Sequence, residues 1–407
     1  MRAPLLALAF LACTAPLAAQ EGAGPRRGDT STIEEFVRHM LGFDPARVAR
    51  HEAKVHTKPQ TASFGRCIKL GNGLFPRVLF HNEKFFVAVA QRSGYRVEVY
   101  DSEWKATGQK ADLTPTGERQ VDQDLALGPD GLYQFAMLEG GKGVVRKFDW
   151  DLRVVAESPV FRAENGERIL DQNIAVLEGR VYAGSEFRDV TRRWGDGPQQ
   201  NLPPDAEAAR GVRVRVLDAD LALIESRDLA ARVEAAAAPT QHWGLGASQL
   251  LVDGVHCVFA ASPVGNVEHF KEGESIGARQ VFLLRFDGKG AFLDASGPLT
   301  DTDCDNFWCT GSWHEDGRYY VSYTCLGPED GPVLGPEGGG SDQGNIRLGV
   351  YDESLQEIET IEITNYSAKD VARGGAHRSD VLRVGDRLYV SYDSSDGCWA
   401  QELILRP

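Results

Sequence analysis

The chain has 407 residues, 42% of them hydrophobic and 25% charged, a balance that excludes a disordered or collagen-like polymer and leaves ample apolar side chain for a packed core. Its formal charge of −15 argues against nucleic-acid or anionic-membrane partners, both of which call for a basic surface. Residues 1–19 read as a secretory leader: Arg2, an apolar run over 3–12, then small residues near Ala18 and Ala19. Beyond the leader no apolar run approaches the roughly 18 residues of a membrane span, so the expectation is a secreted or periplasmic soluble protein. The stretch FLAC also resembles a lipoprotein signal, which would put a lipid anchor on Cys13. Phe10 stands where an aliphatic residue belongs, and plain cleavage is the preferred reading.

Residues 20–60 read as a flexible lead-in carrying short helices. Thr32 and Glu35 make a capping-box pattern, with Ile33, Phe36, Val37, Met40 and Leu41 on one apolar face. Asp44-Pro45 reads as the cap and first position of a second helix. HEAKVH at 51–56 nearly spells a zinc-protease motif, but its histidines are five apart rather than the four that share a helix face.

From about residue 61 to 407 the pattern is β, and it repeats. Five hairpins place Asp at the start of a tight turn after an apolar run: VYDSEWKATG at 99, KFDWDLRVVAES at 147, VLDADLALIES at 216, RFDGKGAFLDAS at 285 and VYDESLQEIET at 350. Each is preceded by a strand, a short turn (HNEK, GPDG, EGR, VDG, HEDG and, in a sixth copy, VGDR) and a second strand. Units of four strands at this period resemble the blades of a β-propeller, and the resemblance implies an all-β, six-bladed ring. The sixth copy supplies three strands, so the missing outer strand is expected from TASFGRCIKLG at 61–71. That arrangement puts Cys67 beside Cys398, and a disulfide between them is expected. Cys309 with Cys325, or Cys304 with Cys309, are the competing pairings expected elsewhere; Cys257 completes the six cysteines beyond the leader.

In such a ring the long connections, 187–211, 230–239, 262–279 and 327–345, all fall on one end, where binding sites usually sit. The innermost strands start there. Aligning the copies puts Arg77, Asp124, Asn173, Ser248, Cys309 and Asp380 at one level. Asp122, Asp171, His242, Asp305, Asn306, His377 and Arg378 are expected just above, with Trp243 at a strand entry where an indole can stack on a ligand. These residues form the expected ligand site, for a small molecule or a glycan.

DTDCDNFWCTGSWHEDG at 301–317 has the alternating carboxylates of a calcium loop, but Asn306 and Ser312 occupy the positions where an EF-hand needs Gly and Glu. Asp124, Asn173 and Asp305 are instead the expected metal set, converging from three blades around calcium. That outline resembles calcium-dependent lactonase and esterase propellers. LFPRVLF with Arg77 resembles the first strand of sialidase-like propellers, which implies Asp122 or Asp124 as an acid or base. The SxDxGxTW boxes of sialidases are missing, and so is an arginine triad. Binding module is the first reading, hydrolase the second and protein-interaction scaffold the third.

Overall fold

The computed structural model describes residues 55–91, 94–115, 117–139, 141–162, 170–188, 210–228, 245–252, 256–263, 270–271, 274–275, 281–287, 292–295, 299–300, 305–326, 344–366 and 375–406. The expected helices, the leader and most of the long connections lie outside these residues. Among the described residues the regular elements are all strands, and no helix is long and apolar enough to cross a membrane.

The strands form antiparallel sheets that follow one another along the chain. β1 (Val55–His56) and β2 (Ala62–Gly71) come first and join later sheets. β3 (Leu74–His81), β4 (Lys84–Gln91), β5 (Gly94–Asp101) and β6 (Ala106–Asp112) pair in that order. β7 (Gln120–Gly128), β8 (Gly131–Leu138), β9 (Lys142–Phe148) and β10 (Val154–Glu157) follow, with β11 (Phe161–Arg162) also on β9. Next come β12 (Leu170–Leu177), β13 (Arg180–Arg188), β14 (Arg210–Leu217) and β15 (Leu223–Asp228). β16 (Leu245–Val252) and β17 (His256–Pro263) lead to a two-stranded excursion, β18 (Phe270–Lys271) with β19 (Glu274–Ser275). β20 (Phe282–Asp287) and β21 (Phe292–Ala295) then complete the sheet begun by β16 and β17. β22 (Asp305–Glu315), β23 (Arg318–Leu326), β24 (Asn345–Asp352) and β25 (Glu357–Glu362) form a sheet that β1 extends in parallel. The last sheet is β26 (His377–Val384), β27 (Arg387–Ser394) and β28 (Gly397–Leu405), with β2 pairing on β28. The first strand of each sheet lies against the first strand of the next: β3 by β7, β7 by β12, β12 by β16, β16 by β22, β22 by β26, and β26 by β3. This is the propeller arrangement.

The core is accordingly divided among the gaps between sheets. Phe86, Val97 and Val99 of the first sheet meet Leu125, Leu132 and Phe148 of the next. Tyr133, Phe135 and Val145 meet Ile174, Val181 and Leu217. Val78, Phe85 and Val87 meet Leu382, Tyr389 and Ala400 of the last sheet.

The aspartate hairpins explain why the repeat is so regular. At Asp101, Asp149, Asp218 and Asp352, Oδ1 accepts the backbone N–H groups of the second and fourth residues on, at 2.8–3.0 Å. The third residue on, Trp104, Leu152, Leu221 or Leu355, has a φ of 61 to 64°. A left-handed bulky residue costs about 1–2 kcal/mol. Burial offsets it: Leu152, Leu221 and Leu355 are buried in the gaps between sheets, and Trp104 stacks on Phe85 at 3.9 Å. The first turns work differently. Asn82-Glu83, Glu178-Gly179 and Asp316-Gly317 have positive φ at both residues, the two-residue turn whose twist matches a β-hairpin.

The expected Cys67–Cys398 disulfide is not formed; both side chains are free thiols. Two register shifts in the β2–β28 ladder place Cys67 opposite Gln401 and Cys398 opposite Gly71. The thiols therefore stand about 10 Å apart along the strands at ~3.3 Å per residue, beyond a disulfide's reach. Cys325 sits opposite Asn306, while the side chains of Cys257, Cys304 and Cys309 lie outside the described ones. The junction is held instead by Glu402, which is buried and accepts the Arg66 N–H at 3.0 Å, Arg387 Nη1 at 2.6 Å and the Tyr389 hydroxyl at 3.2 Å. Before it, Gln60 and Thr61 donate their N–H groups to the buried carboxylate of Glu359, both at 2.8 Å.

Candidate functional site

Each innermost strand carries a β-bulge in its first half, so the level at which their side chains meet follows from the register. Arg77, Asp124, Asn173, Ser248, Gly311 and Asp380 each stand four residues before the end of their strand. They pair with Ala88, Phe135, Gly184, Ala261, Ser322 and Ser391. The expected Cys309 is replaced by Gly311. The bulge between Phe307 and Gly311 holds two more residues on β22 than on β23, where the other inner strands hold one more than their partners. Gly311 is required there, because a Cβ would meet the Asp380 Cα at 2.5 Å.

The same extra residues move Asp305 and Asn306 away from the level. Asp305 pairs with Leu326, four positions beyond Ser322, about 13 Å along the strand. Asn306 is fully buried opposite Cys325. Asp122, Asp171 and Arg378 do stand two residues above the level, and His377 three. The side chains of Asp171, Asp305 and His377 lie outside the described ones; His242 and Trp243 lie wholly outside the described residues. Trp313 is partly buried against the gaps on both sides of the last sheet, as an apolar inner-strand residue should be.

At the level itself the structure brings three expected residues together. Arg77 Nε lies 2.8 Å from Asp124 Oδ1, and its Nη1 lies 2.7 Å from Asp380 Oδ1. Both carboxylates also bond backbone on two strands. Asp124 accepts the N–H of Leu125 at 2.8 Å and of Ile174, on the next sheet, at 2.9 Å. Asp380 accepts Val381 at 2.9 Å and Val78, across the junction with the first sheet, at 3.4 Å. One arginine and two aspartates, all nearly excluded from water, thus tie four sheets at the ring's centre. Burial pushes the Asp124 carboxyl up to about 6 against the pull of Arg77, with Asp380 adding to the rise. Burial likewise raises Asp380. For Arg77 burial alone would favour loss of charge, but Asp124 and Asp380 outweigh it and hold the guanidinium charged.

These contacts bear on calcium. Both oxygens of Asp124 already accept donors, and a guanidinium sits 2.8 Å away where a cation would bring a second positive charge. Asp124, bonded in this way, therefore has no oxygen free for calcium. Among the described residues no group of three His, Cys, Asp or Glu side chains is arranged to hold a metal ion.

Above the level lies a second group, half-buried at Phe75, Asp122 and Arg378 and buried at Tyr95 and Asp393. The Arg378 guanidinium stacks on Phe75 at 3.7 Å from the ring centre. Both residues occupy the bulges of adjacent inner strands, with φ of 49° and 54°. Phe75 N–H donates to Asp393 Oδ2 at 2.7 Å, and the Tyr95 hydroxyl donates to Asp122 Oδ1 at 3.0 Å. Burial, then Asp122, raises the Tyr95 hydroxyl well above its ordinary value, so it remains a donor. Phe75, Tyr95 and Asp393 were not among the sequence candidates. The signal for Phe75 was its place two residues before Arg77, matching Arg378 before Asp380; Tyr95 and Asp393 come from neighbouring strands and carry no such mark.

No family model matches the chain, and no curated protein matches it. Among solved structures it is similar to a protein of unknown function from Dyadobacter fermentans, at 12% identity over 88% of this chain and 99% of that one, with a TM-score of 0.50. It is also similar to the phage phi92 endosialidase, at 8% identity over 85% of this chain and 70% of that one, with a TM-score of 0.51. At such identities the likeness is one of architecture: this chain has the β-propeller fold.

Proposed function

We propose that the chain is an exported six-bladed β-propeller that binds a small-molecule or glycan ligand at the end of the ring where the inner strands begin. The blade count is supported by the succession β3, β7, β12, β16, β22 and β26 around the centre, with β2 on β28 as the fourth strand of the last blade. The export part of the proposal rests on the leader-like pattern of residues 1–19.

The observation that carries the binding reading is the Arg378–Phe75 pair. Two large side chains are held in left-handed bulges, at about 1–2 kcal/mol each, where they set a guanidinium on an aromatic face beside Asp122 and Tyr95. Strain retained beside convergent polar groups is a mark of recognition. The endosialidase among the structural neighbours acts, by its name, on a glycan, which is compatible with this reading. A hydrolase is the second reading, favoured by the rise of Asp124 to about 6, near the range useful to a general acid. Against it, Asp124 is almost fully buried and engaged through both oxygens.

The test is a glycan array probed with the purified protein and with Arg378→Ala. Binding that weakens about tenfold or more in the variant, with Tm and far-UV spectrum retained, is the expected result. Equal binding by both proteins, or none by either, removes the proposal.

A further inference from the structure

Directly behind Asp122, a cluster of three glutamines is buried in the gap between the first two sheets. Gln120, Gln123 and Gln134 are 8%, 5% and 0% exposed. On β7 Gln123 alternates with Leu125, and on β8 Gln134 alternates with Leu132; both leucines pack against Phe86 and Val97 of the first sheet. The amides therefore continue that apolar gap toward the elaborated end. They are bonded to one another through a single atom. Gln123 Oε1 accepts Gln134 Nε2 at 2.5 Å and Gln120 Nε2 at 3.1 Å, and Gln120 Nε2 also reaches the carbonyl of Asp122 at 3.4 Å. Gln120 Oε1, Gln123 Nε2 and Gln134 Oε1 have no partner among the described residues. Arg146, across from Gln134 on β9, is committed to Glu157 and to the Leu113 carbonyl.

A buried amide atom without a partner destabilises a fold, and an apolar residue of the same shape would not incur that cost. Three such atoms in one cluster, beside a candidate ligand site, point to a partner that is not part of the chain. We propose that Gln120, Gln123 and Gln134 form a neutral hydrogen-bonding subsite, which receives a hydroxyl or carboxamide group of the ligand. The inference rests on the binding reading above and deepens it. The free groups are two acceptors and one NH₂ donor, the complement of a group that both donates and accepts. Two unpaired carbonyl oxygens in one cluster disfavour an anion. Gln120, the least buried of the three and the one bonded to Asp122, is the side chain that moves to admit the group.

The experiment compares the native chain with Gln120→Met/Gln123→Met/Gln134→Met, and with Arg378→Ala as the reference for the mouth. Apo Tm is measured first. Thermal shift and saturation-transfer NMR then follow with N-acetylglucosamine, glucose and glucuronate as probes. The expected result is a triple variant with a Tm no lower than native. The native chain responds to N-acetylglucosamine or glucose and not to glucuronate, and the response is lost in the triple variant. A lower Tm in the triple variant would show that the amides are satisfied within the fold and overturn the subsite. So would an unchanged sugar response, or a response to glucuronate alone. If sugar binding survives in the triple variant but disappears in Arg378→Ala, the subsite fails and the mouth stands. If no probe or array glycan binds the native chain, the underlying reading fails with it.

Discussion

Replacing Arg77 by methionine tests the centre of the ring most directly. The substitution keeps the length of the side chain and removes the charge that Asp124 and Asp380 share, leaving two carboxyls only 2% and 5% exposed. Removing one partner of a buried ion pair typically costs about 3–5 kcal/mol, because the remaining charge is stranded. The penalty depends on pH in a defined direction. In the native chain Asp124 titrates at about 6, against 3.8 for an ordinary aspartate, so the folded state binds that proton more tightly than the unfolded state. Its protonation therefore adds stability that is complete below about pH 3.8 and lost as the pH rises through about 6. At ~1.4 kcal/mol per pKa unit, the span is on the order of 3 kcal/mol. Without Arg77 the opposing pull is gone and both carboxyls move higher still, so the variant's deficit is largest at neutral pH and shrinks on acidification. Urea unfolding followed by tryptophan fluorescence at pH 7.5 and pH 5.0 measures both terms. A loss below about 1 kcal/mol at pH 7.5, or a deficit that does not shrink at pH 5.0, would refute the assignment of Arg77 as counter-ion to two buried carboxylates.

The left-handed leucines of the aspartate turns invert the usual ranking of alanine over glycine. Leu221→Ala gives up a side chain that is 1% exposed and keeps the strained φ of 64°, for a loss of about 2–5 kcal/mol. Leu221→Gly relieves the strain, so it should be more stable than the alanine variant by ~1 kcal/mol in chemical denaturation; the opposite order would mean that the turn is unstrained. At the last sheet, burial alone would raise Glu402, but the Arg66 N–H and Arg387 more than offset it and hold the carboxyl below its ordinary value. Its stabilisation is present above the unfolded value of 4.5 and lost as the pH falls through the lower folded value. Glu402→Gln should therefore cost about 1–3 kcal/mol at pH 7 and progressively less toward pH 3. A constant difference across that range would assign the effect to shape rather than to charge.

The period of the fold was written in residues that act locally. Asp at the head of each outer hairpin satisfies two nearby N–H groups whatever lies around it, so Asp101, Asp149, Asp218 and Asp352 announce the same turn in sequence and in space. The level of the inner strands was legible for the same reason wherever the bulge had one extra residue, which located Arg77, Asp124, Asn173, Ser248 and Asp380. It was not legible on β22, where a longer bulge exchanged Cys309 for Gly311 and carried Asp305 out of reach of its supposed partners. Nor could spacing reveal that Cys67 and Cys398 miss each other, since register shifts arise from how two strands from opposite ends of the described chain settle together.

What the tertiary structure alone decided is which charges meet. Arg77 finds Asp380 from the far end of the chain and Asp124 from the next sheet, and this pairing turns three candidate ligand groups into a tie at the centre of the ring. The strain at Phe75 and Arg378 and the amide atoms behind Asp122 that find no partner among the described residues belong to the same category. Hydrophobic alternation and turn chemistry are properties of a few consecutive residues and survive in a one-dimensional text. Burial, ion pairing and unsatisfied polarity depend on neighbours brought together by the closing of the sheets, and only the folded chain contains them.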